Sequence, residues 1–189
     1  GHRHTAKVLT TAERPADGLM QGIEQILNES GIAAGAIDLV VHGTTLATNA
    51  LIERKGARTA LITTRGHRDA LEMAFENRFD QYDIQADRNP PLIPRELRLE
   101  VSERMNFRGE VLTPLDSNSV ESLVATFQEA RISSVAVGLL HAYANPAHEQ
   151  AVAAILSRAM PDLSISLSSN VCPDIREYER QSTTGANAY

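Results

Sequence analysis

The segment His42-Gly43-Thr44-Thr45 brings an imidazole, two hydroxyls and a glycine together at one point of the chain. It follows the apolar run 37–41 and precedes a helical pattern that includes Asn49 one turn further on the same face. Ligands of open α/β sheets bind beyond the carboxyl ends of strands, where a helix N-terminus offers unpaired N–H groups to anions. The segment therefore predicts an anion-binding turn. The alternative is that a threonine only caps the helix and His42 is a packed histidine.

A second polar group recurs at helical spacing near the end of the chain. It consists of Arg176, Arg180, Thr183, Thr184 and Asn187, which share one side of a helix. Two arginines one turn apart could clamp a carboxylate or a phosphate through bidentate hydrogen bonds. The alternative is a solvated helix whose arginines pair with neighbouring glutamates, an interaction that adds little stability.

Other reactive side chains give weaker signals. The histidines His67, His141 and His148 show no metal-ligand spacing with Asp, Glu or Cys, so the pattern predicts no metal site. Cys172 precedes Pro173, which favours an inert structural thiol over a nucleophile. The sequence contains neither GxxxxGK[ST] nor GxGxxG, so any phosphate loop is of another type.

Composition excludes several classes of protein. The chain has 189 residues, a formal net charge of -6 and 4% aromatic residues, whereas a nucleic-acid-binding face is basic. It contains no apolar run of the roughly 18–20 residues that a membrane helix needs. The start of the sequence resembles neither a signal peptide nor a transit peptide. With a single cysteine and hence no intrachain disulfide, we expect a cytoplasmic globular domain without nucleic-acid or membrane partners.

Alternation of short β-branched runs with helical periodicity predicts an α/β fold. We expect a layered, mostly parallel or mixed sheet with flanking helices and one β-hairpin. The hairpin pairs alternating residues of 97–101 with those of 111–115 across 106–109. The remaining predicted strands are 37–41, 60–64, 134–140 and 163–167. The predicted helices are 18–31, 45–55, 68–74, one opened by Asn118, one opened by Asn145-Pro146, and 174–189.

The proline-rich, charged segment 76–96 interrupts this rhythm and predicts a long loop. We expect one domain over residues 1–189. Two lobes, 1–75 and 97–189, joined by this loop are an alternative subdivision.

The order of several sequence blocks resembles the hydantoinase A/5-oxoprolinase family over almost the whole chain. The first block, HGTTLATNALIERKG at 42–56, resembles the family's signature stretch. The others follow in the family's order: LITTRGHRDALE at 61–72, DQYD at 80–83, PRELRLEVSER at 94–104, GEVLTPLD at 109–116, AVGLLHAYANPAHE at 136–149 and IREYERQSTTGANAY at 175–189.

This resemblance implies an actin-like ATPase-related architecture and an enzyme that uses ATP and Mg to phosphorylate a carbonyl oxygen of a small cyclic amide. Its partners would be the remaining domains of the same enzyme and a hydantoinase B-type subunit. By the same resemblance His42, Thr44 and Thr45 would be catalytic. Substrate or nucleotide would be bound by Gly43, Asn49, Arg176, Arg180, Thr183, Thr184 and Asn187.

One departure from the family pattern changes these expectations. Family members begin with a phosphate-binding DxGGTFTD motif, and none precedes Lys7 here, where 7–11 resembles the strand after that motif. We therefore expect a fragment that is inactive alone and binds no cofactor tightly. Two other hypotheses stay open. One is a non-catalytic module for subunit assembly, and the other is an actin-like ATPase activator domain.

Overall fold

The computed structural model describes residues 2–11, 14–75, 82, 83, 85 and 89–189. The chain divides into two compact units, Gly1–Thr44 and Thr45–Tyr189. Part of the predicted loop over 76–96, including Asp80 and Gln81 of one sequence block, lies outside the described residues. Strands from both sides of this loop share one sheet. Segment 76–96 therefore lies between strands of a single sheet.

Helix α1 (Pro15–Ser30) dominates the first unit and confirms the helix predicted over 18–31. Proline stands in its first turn, where its missing N–H costs no hydrogen bond. The helix ends at Gly31, whose φ of 69° places it in the left-handed region, and the Gly31 N–H donates to the carbonyl of Leu27. A 3-10 turn, Ala34–Ala36, follows.

The strand predicted over 37–41 is wrong, as is the one predicted over 7–11. Neither segment pairs with another strand in the described structure. Leu39, Val40 and Val41 are 77%, 62% and 85% exposed, and Leu9 is 91% exposed. A strand requires a neighbour that accepts its backbone hydrogen bonds, and an apolar run cannot show whether that neighbour exists.

The second unit contains a four-stranded parallel sheet, as the sequence predicted. The strands are β1 (Thr59–Thr64), β2 (Arg98–Val101), β5 (Ser134–Gly138) and β6 (Ser164–Leu167). Their spatial order is β2-β1-β5-β6. Leu61 lies opposite Arg98 on one side and Ala136 on the other, and Val137 lies opposite Leu167.

The two central strands β1 and β5 are buried along their whole length. Helices cover both faces of a parallel sheet, which is why such strands are continuously apolar. Leu61, Ile62, Val135 and Val137 have no exposed side-chain surface and pack with Phe127 of a covering helix. The apolar runs at 60–64 and 134–140 therefore predicted strands correctly.

The β-hairpin exists, and its second strand lies within the predicted 111–115, but its first strand is not the predicted 97–101. It pairs β3 (Arg104–Met105) with β4 (Val111–Thr113) antiparallel. The alternating segment 97–101 instead supplies β2, which pairs parallel with β1 at the edge of the sheet. Alternation predicts a half-buried strand but carries no information about its partner.

The helices of the second unit agree with the predicted ones to within a few residues, except for the helix Ser168–Val171, which the sequence did not predict. The helix expected after Asn118 is divided into α4 and α5, and its cap is Asp116, whose carboxylate accepts from the Asn118 N–H. At the next helix, Asn145 Oδ1 accepts from the Ala147 N–H as expected for a cap. The helices are α2 (Leu46–Glu53), α3 (Ala70–Met73), α4 (Ser117–Glu121), α5 (Leu123–Glu129), α6 (Ala147–Ala159), α7 (Ser168–Val171) and α8 (Glu177–Ala188).

Helix α8 packs directly on β5. A Cβ added to Gly138, at the end of β5, would lie 2.7 Å from Cγ of Gln181. Glycine therefore permits the close approach of helix and strand. Gln181 Nε2 donates to the Gly138 carbonyl at 2.9 Å and to Thr63 Oγ1 at 3.0 Å, which fixes the helix on the sheet.

Candidate functional site

The predicted anion-binding turn, residues 42–45, is exposed and leads into α2. Thr45 is the N-cap residue, and its hydroxyl makes no capping hydrogen bond in the described structure. Asn49 lies on α2 with its backbone N–H donating to the Thr45 carbonyl at 2.8 Å, and its side chain is exposed. A Cβ on Gly43 would meet no atom within 4 Å. The turn thus presents accessible polar groups at the start of a helix, without an enclosing cradle.

The polar residues predicted to share one side of a helix, Arg176, Arg180, Thr183, Thr184 and Asn187, are called the polar stripe below. Its two arginines lie in different surroundings. Arg176 is the N-cap of α8 and is exposed, whereas Arg180 is fully buried. Arg180 Nη1 donates to the Asp174 carbonyl at 2.7 Å, and its Nη2 donates to the Leu139 carbonyl at 3.1 Å. Its guanidinium also lies 5.6 Å from the centre of the Tyr143 ring. In this structure Arg180 ties α8 to the loop after β5.

The other three residues of the polar stripe also differ from one another in exposure and in hydrogen bonding. Thr183 is exposed on α8. Thr184 is buried, and its hydroxyl donates to the Arg180 carbonyl. Asn187 Nδ2 donates to Ser166 Oγ of β6 at 2.9 Å. Arg176 precedes α8 as its N-cap and the other four residues lie on the helix, and the structure does not present these five side chains as one accessible surface.

The carboxyl edge of the parallel sheet carries a buried polar network. The Thr64 hydroxyl, at the end of β1, donates to Glu103 and accepts from the Leu140 N–H. The Glu103 side chain is completely buried, and its Oε2 lies 2.7 Å from Nδ1 of His148. The network joins the segments that follow β1, β2 and β5, which is where ligands bind in open α/β sheets.

A second buried carboxylate, Glu149 of α6, holds the loops after β5 and β6. It accepts from the Leu139 N–H at 3.1 Å, the Ser168 hydroxyl at 2.6 Å and the Ser169 N–H at 2.9 Å. A buried carboxylate is tolerated when several donors replace its water. Glu149 therefore fixes the positions of these loops.

In front of these loops lies an open pocket of about 380 Å³ that contains two histidines and an arginine. His67 follows β1, His141 follows β5, and Arg104 belongs to β3. Arg104 Nη1 lies 2.9 Å from Nε2 of His67. His141 has a φ of 57°, a value that is uncommon for any residue other than glycine. Strained residues of this kind concentrate at functional sites.

Burial lowers the pKa of His67 below its ordinary value of 6.5, and the neighbouring Arg104 cation lowers that pKa further. The carboxylates of Glu177, Glu100 and Glu103 act in the opposite direction without reversing the shift. His67 is therefore neutral at pH 7.

Sequence reasoning missed this pocket because it judged His67 and His141 only by metal-ligand spacing. A better signal was available, since each histidine comes within three residues of the end of a predicted buried strand. Within the described residues, no group of three His, Cys, Asp or Glu side chains is arranged to hold a metal ion. No helix in the described part of the chain is both long and apolar enough to cross a membrane.

Comparison with known proteins agrees with this architecture. Residues 1–160 match the hydantoinase/oxoprolinase N-terminal region. The chain is 34% identical to the caprolactamase alpha subunit of Pseudomonas jessenii, over 100% of this chain and 28% of that subunit. It is 33% identical to 5-oxoprolinase 1 of Arabidopsis thaliana, over 92% of this chain and 16% of that protein.

Two solved structures have the same fold. The crystal structure of the ATP-dependent caprolactamase from P. jessenii superposes with a TM-score of 0.86 over 100% of this chain and 28% of that one. The nucleotide-free acetone carboxylase structure gives a TM-score of 0.83 at 26% identity, over 95% of this chain and 28% of that one. The chain therefore spans less than a third of the length of these relatives.

Proposed function

The chain belongs to the hydantoinase/oxoprolinase family, and from this premise we propose that it forms the N-terminal part of an ATP-dependent hydrolase that opens a small cyclic amide. The observation that carries the proposal is the likeness of the whole chain to the ATP-dependent caprolactamase. Caprolactam is a cyclic amide, and family relatives named 5-oxoprolinase act on another ring of this class.

An amide carbonyl is a poor electrophile. In the proposed reaction ATP with Mg supplies a phosphoryl group to the carbonyl oxygen, after which water adds to the ring carbon. The C–N bond then breaks, which opens the ring and leaves an acyl phosphate. A second water attacks the carbon of this acyl phosphate and breaks its bond to the phosphorylated oxygen, which releases the amino acid and inorganic phosphate. The open surroundings of Gly43 do not by themselves enclose a triphosphate. The assignment of this turn to the reacting groups rests on the family resemblance.

Within this proposal the turn at 42–45 supplies hydroxyl, imidazole and backbone donors toward the reacting phosphate or the substrate carbonyl. Arg176 is exposed and keeps its fork of N–H donors available for an anionic group. Arg180 contributes by fixing α8, because both of its terminal nitrogens are bonded to backbone carbonyls.

An oxygen-label experiment tests the reaction class. The full-length protein, with its partner subunit, is supplied with ATP and a lactam or hydantoin labelled with ¹⁸O in the carbonyl. Phosphorylation of the carbonyl oxygen transfers one labelled oxygen to inorganic phosphate, detected by mass spectrometry. Ring opening that leaves the label entirely in the product carboxylate would contradict the proposal.

A pair of substitutions tests the role of the turn. In the full-length enzyme, Thr45→Ala removes an exposed hydroxyl that makes no capping bond, so stability should change by no more than about 0.5 kcal/mol. We expect kcat to fall at least tenfold, with partial recovery in Thr45→Ser. Thr10→Ala removes another exposed threonine hydroxyl and serves as the control. Equal activity of the two alanine variants would remove Thr45 from the site.

A second function, subunit assembly, is favoured by apolar side chains beside the start of α8. Met73, Phe75 and Ile175 are 54%, 56% and 63% exposed. The first two line an open pocket with Arg176, and the Phe75 ring meets Tyr178 edge to face at 4.8 Å. Relatives carry the names of subunits, among them caprolactamase subunit alpha and acetone carboxylase beta subunit.

The two functions are separated by Ile175→Asp in the full-length protein. If this surface only docks a partner, the variant weakens subunit association measured by sedimentation but keeps its turnover at saturating partner. Leu112→Asp, on β4, is the matched control because Leu112 is 62% exposed. Equal association of both variants and the unsubstituted protein would exclude docking at this surface.

A further inference from the structure

We propose that the pocket at the carboxyl edge of the sheet binds a small oxyanion, a carboxylate or a phosphate, through Arg104 and His67. None of the residues that line this pocket belongs to the turn at 42–45, to which the family resemblance points. Its basis is the hydrogen-bonding state of two neighbouring side chains and the pairing of the charges around them.

The contact between Arg104 and His67 fixes the tautomer of the histidine. A guanidinium has only N–H donors, so at 2.9 Å Nη1 of Arg104 donates and Nε2 of His67 accepts. An accepting Nε2 carries no proton, which leaves the neutral ring with its proton on Nδ1. His67 therefore retains one N–H donor for a ligand, and Arg104 keeps the rest of its fork.

The acidic side chains that line the pocket already have cationic partners. Both carboxylate oxygens of Asp69 accept from Arg95, at 2.8 and 2.9 Å. Glu177 Oε1 lies 3.7 Å from Nη2 of Arg180. Within the described part of the chain Arg104 forms no ion pair, and its guanidinium contacts the neutral ring of His67.

Two further carboxylates near the pocket are also engaged. Glu100 Oε1 accepts from the Gly66 N–H at 2.8 Å, and Glu103 is held by Thr64 and His148. The unmatched group is thus a partly buried guanidinium beside a neutral N–H donor. A ligand with a negatively charged oxygen satisfies both, and charged hydrogen bonds of this kind are the strong ones.

The backbone around the pocket supports a binding role. His141 lines the same pocket in a left-handed conformation, with its ring edge to face against Tyr143 at 5.9 Å. Such strain persists only where surrounding contacts hold it. The pocket volume, about 380 Å³, suits a small molecule.

The test measures protection of Arg104 from phenylglyoxal in the full-length protein, read residue by residue by peptide mass spectrometry. Acetate and inorganic phosphate are titrated separately to tens of millimolar at constant ionic strength. We expect either anion to slow the modification of Arg104 at least threefold in a saturable way. Arg65, which is exposed on the loop after β1 and does not line the pocket, should react at an unchanged rate.

The stronger protector identifies the oxyanion as carboxylate or phosphoryl. A variant guards against general charge effects: His67→Leu keeps Arg104 but removes every N–H donor from the side chain at position 67, and should raise the half-protecting concentration at least fivefold. The proposal would be overturned if neither anion slowed the modification of Arg104. It would also be overturned if the anions slowed the modification of Arg104 and Arg65 to the same extent.

Discussion

Replacing Arg180 by lysine tests whether this buried arginine stabilises the fold or serves a ligand. Its two terminal nitrogens donate to the carbonyls of Asp174 and Leu139, at 2.7 and 3.1 Å. Lysine keeps the charge but places it on a single nitrogen, which cannot reproduce the planar fork. One of the two carbonyls therefore loses its charged donor inside the protein.

The expected decrease in stability is that of losing one hydrogen bond to a charged group. A hydrogen bond to a charged group contributes about 1.5–3 kcal/mol to stability. For a chain of this length each kcal/mol lowers Tm by about 2–4 °C, so Arg180→Lys should lower it by roughly 3–12 °C. Arg176→Lys is the matched control, because Arg176 is exposed at the start of α8. Its stability should change by no more than about 0.5 kcal/mol.

The assay is hydrogen exchange by mass spectrometry on the full-length protein, because it resolves individual segments. We expect faster exchange in α8 and in residues 139–145 for Arg180→Lys, and no change for Arg176→Lys. In turnover, by contrast, Arg176→Lys should be the more impaired at a temperature where both variants are folded. Unaltered exchange in Arg180→Lys together with lost turnover would refute the structural role of Arg180.

Two further predictions follow from the sheet and its edge. Gly138→Ala would place a Cβ 2.7 Å from Cγ of Gln181 and should lower the free energy of unfolding by about 1–3 kcal/mol in a denaturation experiment. Gly35→Ala is the control, because its Cβ would meet no atom within 4 Å, and its stability should be nearly unchanged. Equal stability of the two variants would contradict the packing argument. Because the pKa of His67 is lowered in the folded protein, its contribution to stability is complete above pH 6.5 and is lost as the pH falls below 6.5 through the folded value. Arg104→Gln removes the second cause of the shift, so the pKa of His67, measured by exchange at its ring C2 position, should rise toward 6.5; an unchanged value would exclude Arg104 as a cause.

The central strands could be predicted because burial on both faces leaves a trace in the sequence. Both β1 and β5 are runs of small and β-branched residues, as covered parallel strands require. Residues 37–41 are also rich in apolar and β-branched side chains, yet they remain unpaired in the described structure. Composition indicates that a segment is apolar enough to be buried, whereas strand pairing depends on a second segment elsewhere in the chain.

The candidate sites show a similar limit. Helical spacing assigned Arg176 and Arg180 to one side of a helix and treated them as equivalent side chains. The structure buries one and exposes the other, because α8 begins at Glu177 and only Arg180 faces the sheet. The side of such a helix that becomes buried depends on the groups that pack against it. Here those groups are backbone carbonyls that need hydrogen-bond donors.

The same buried groups explain how the pocket keeps its shape. The N–H of Leu139 is held by Glu149 and its carbonyl by Arg180, while the next N–H, of Leu140, is held by Thr64. Three side chains from three different elements therefore fix the backbone immediately before His141. The left-handed φ of His141 is strained, so the backbone keeps it only while those three hydrogen bonds hold the preceding residues in place. Substitutions of these three side chains should consequently alter the pocket before they unfold the protein, because the site is supported from α6, α8 and the end of β1.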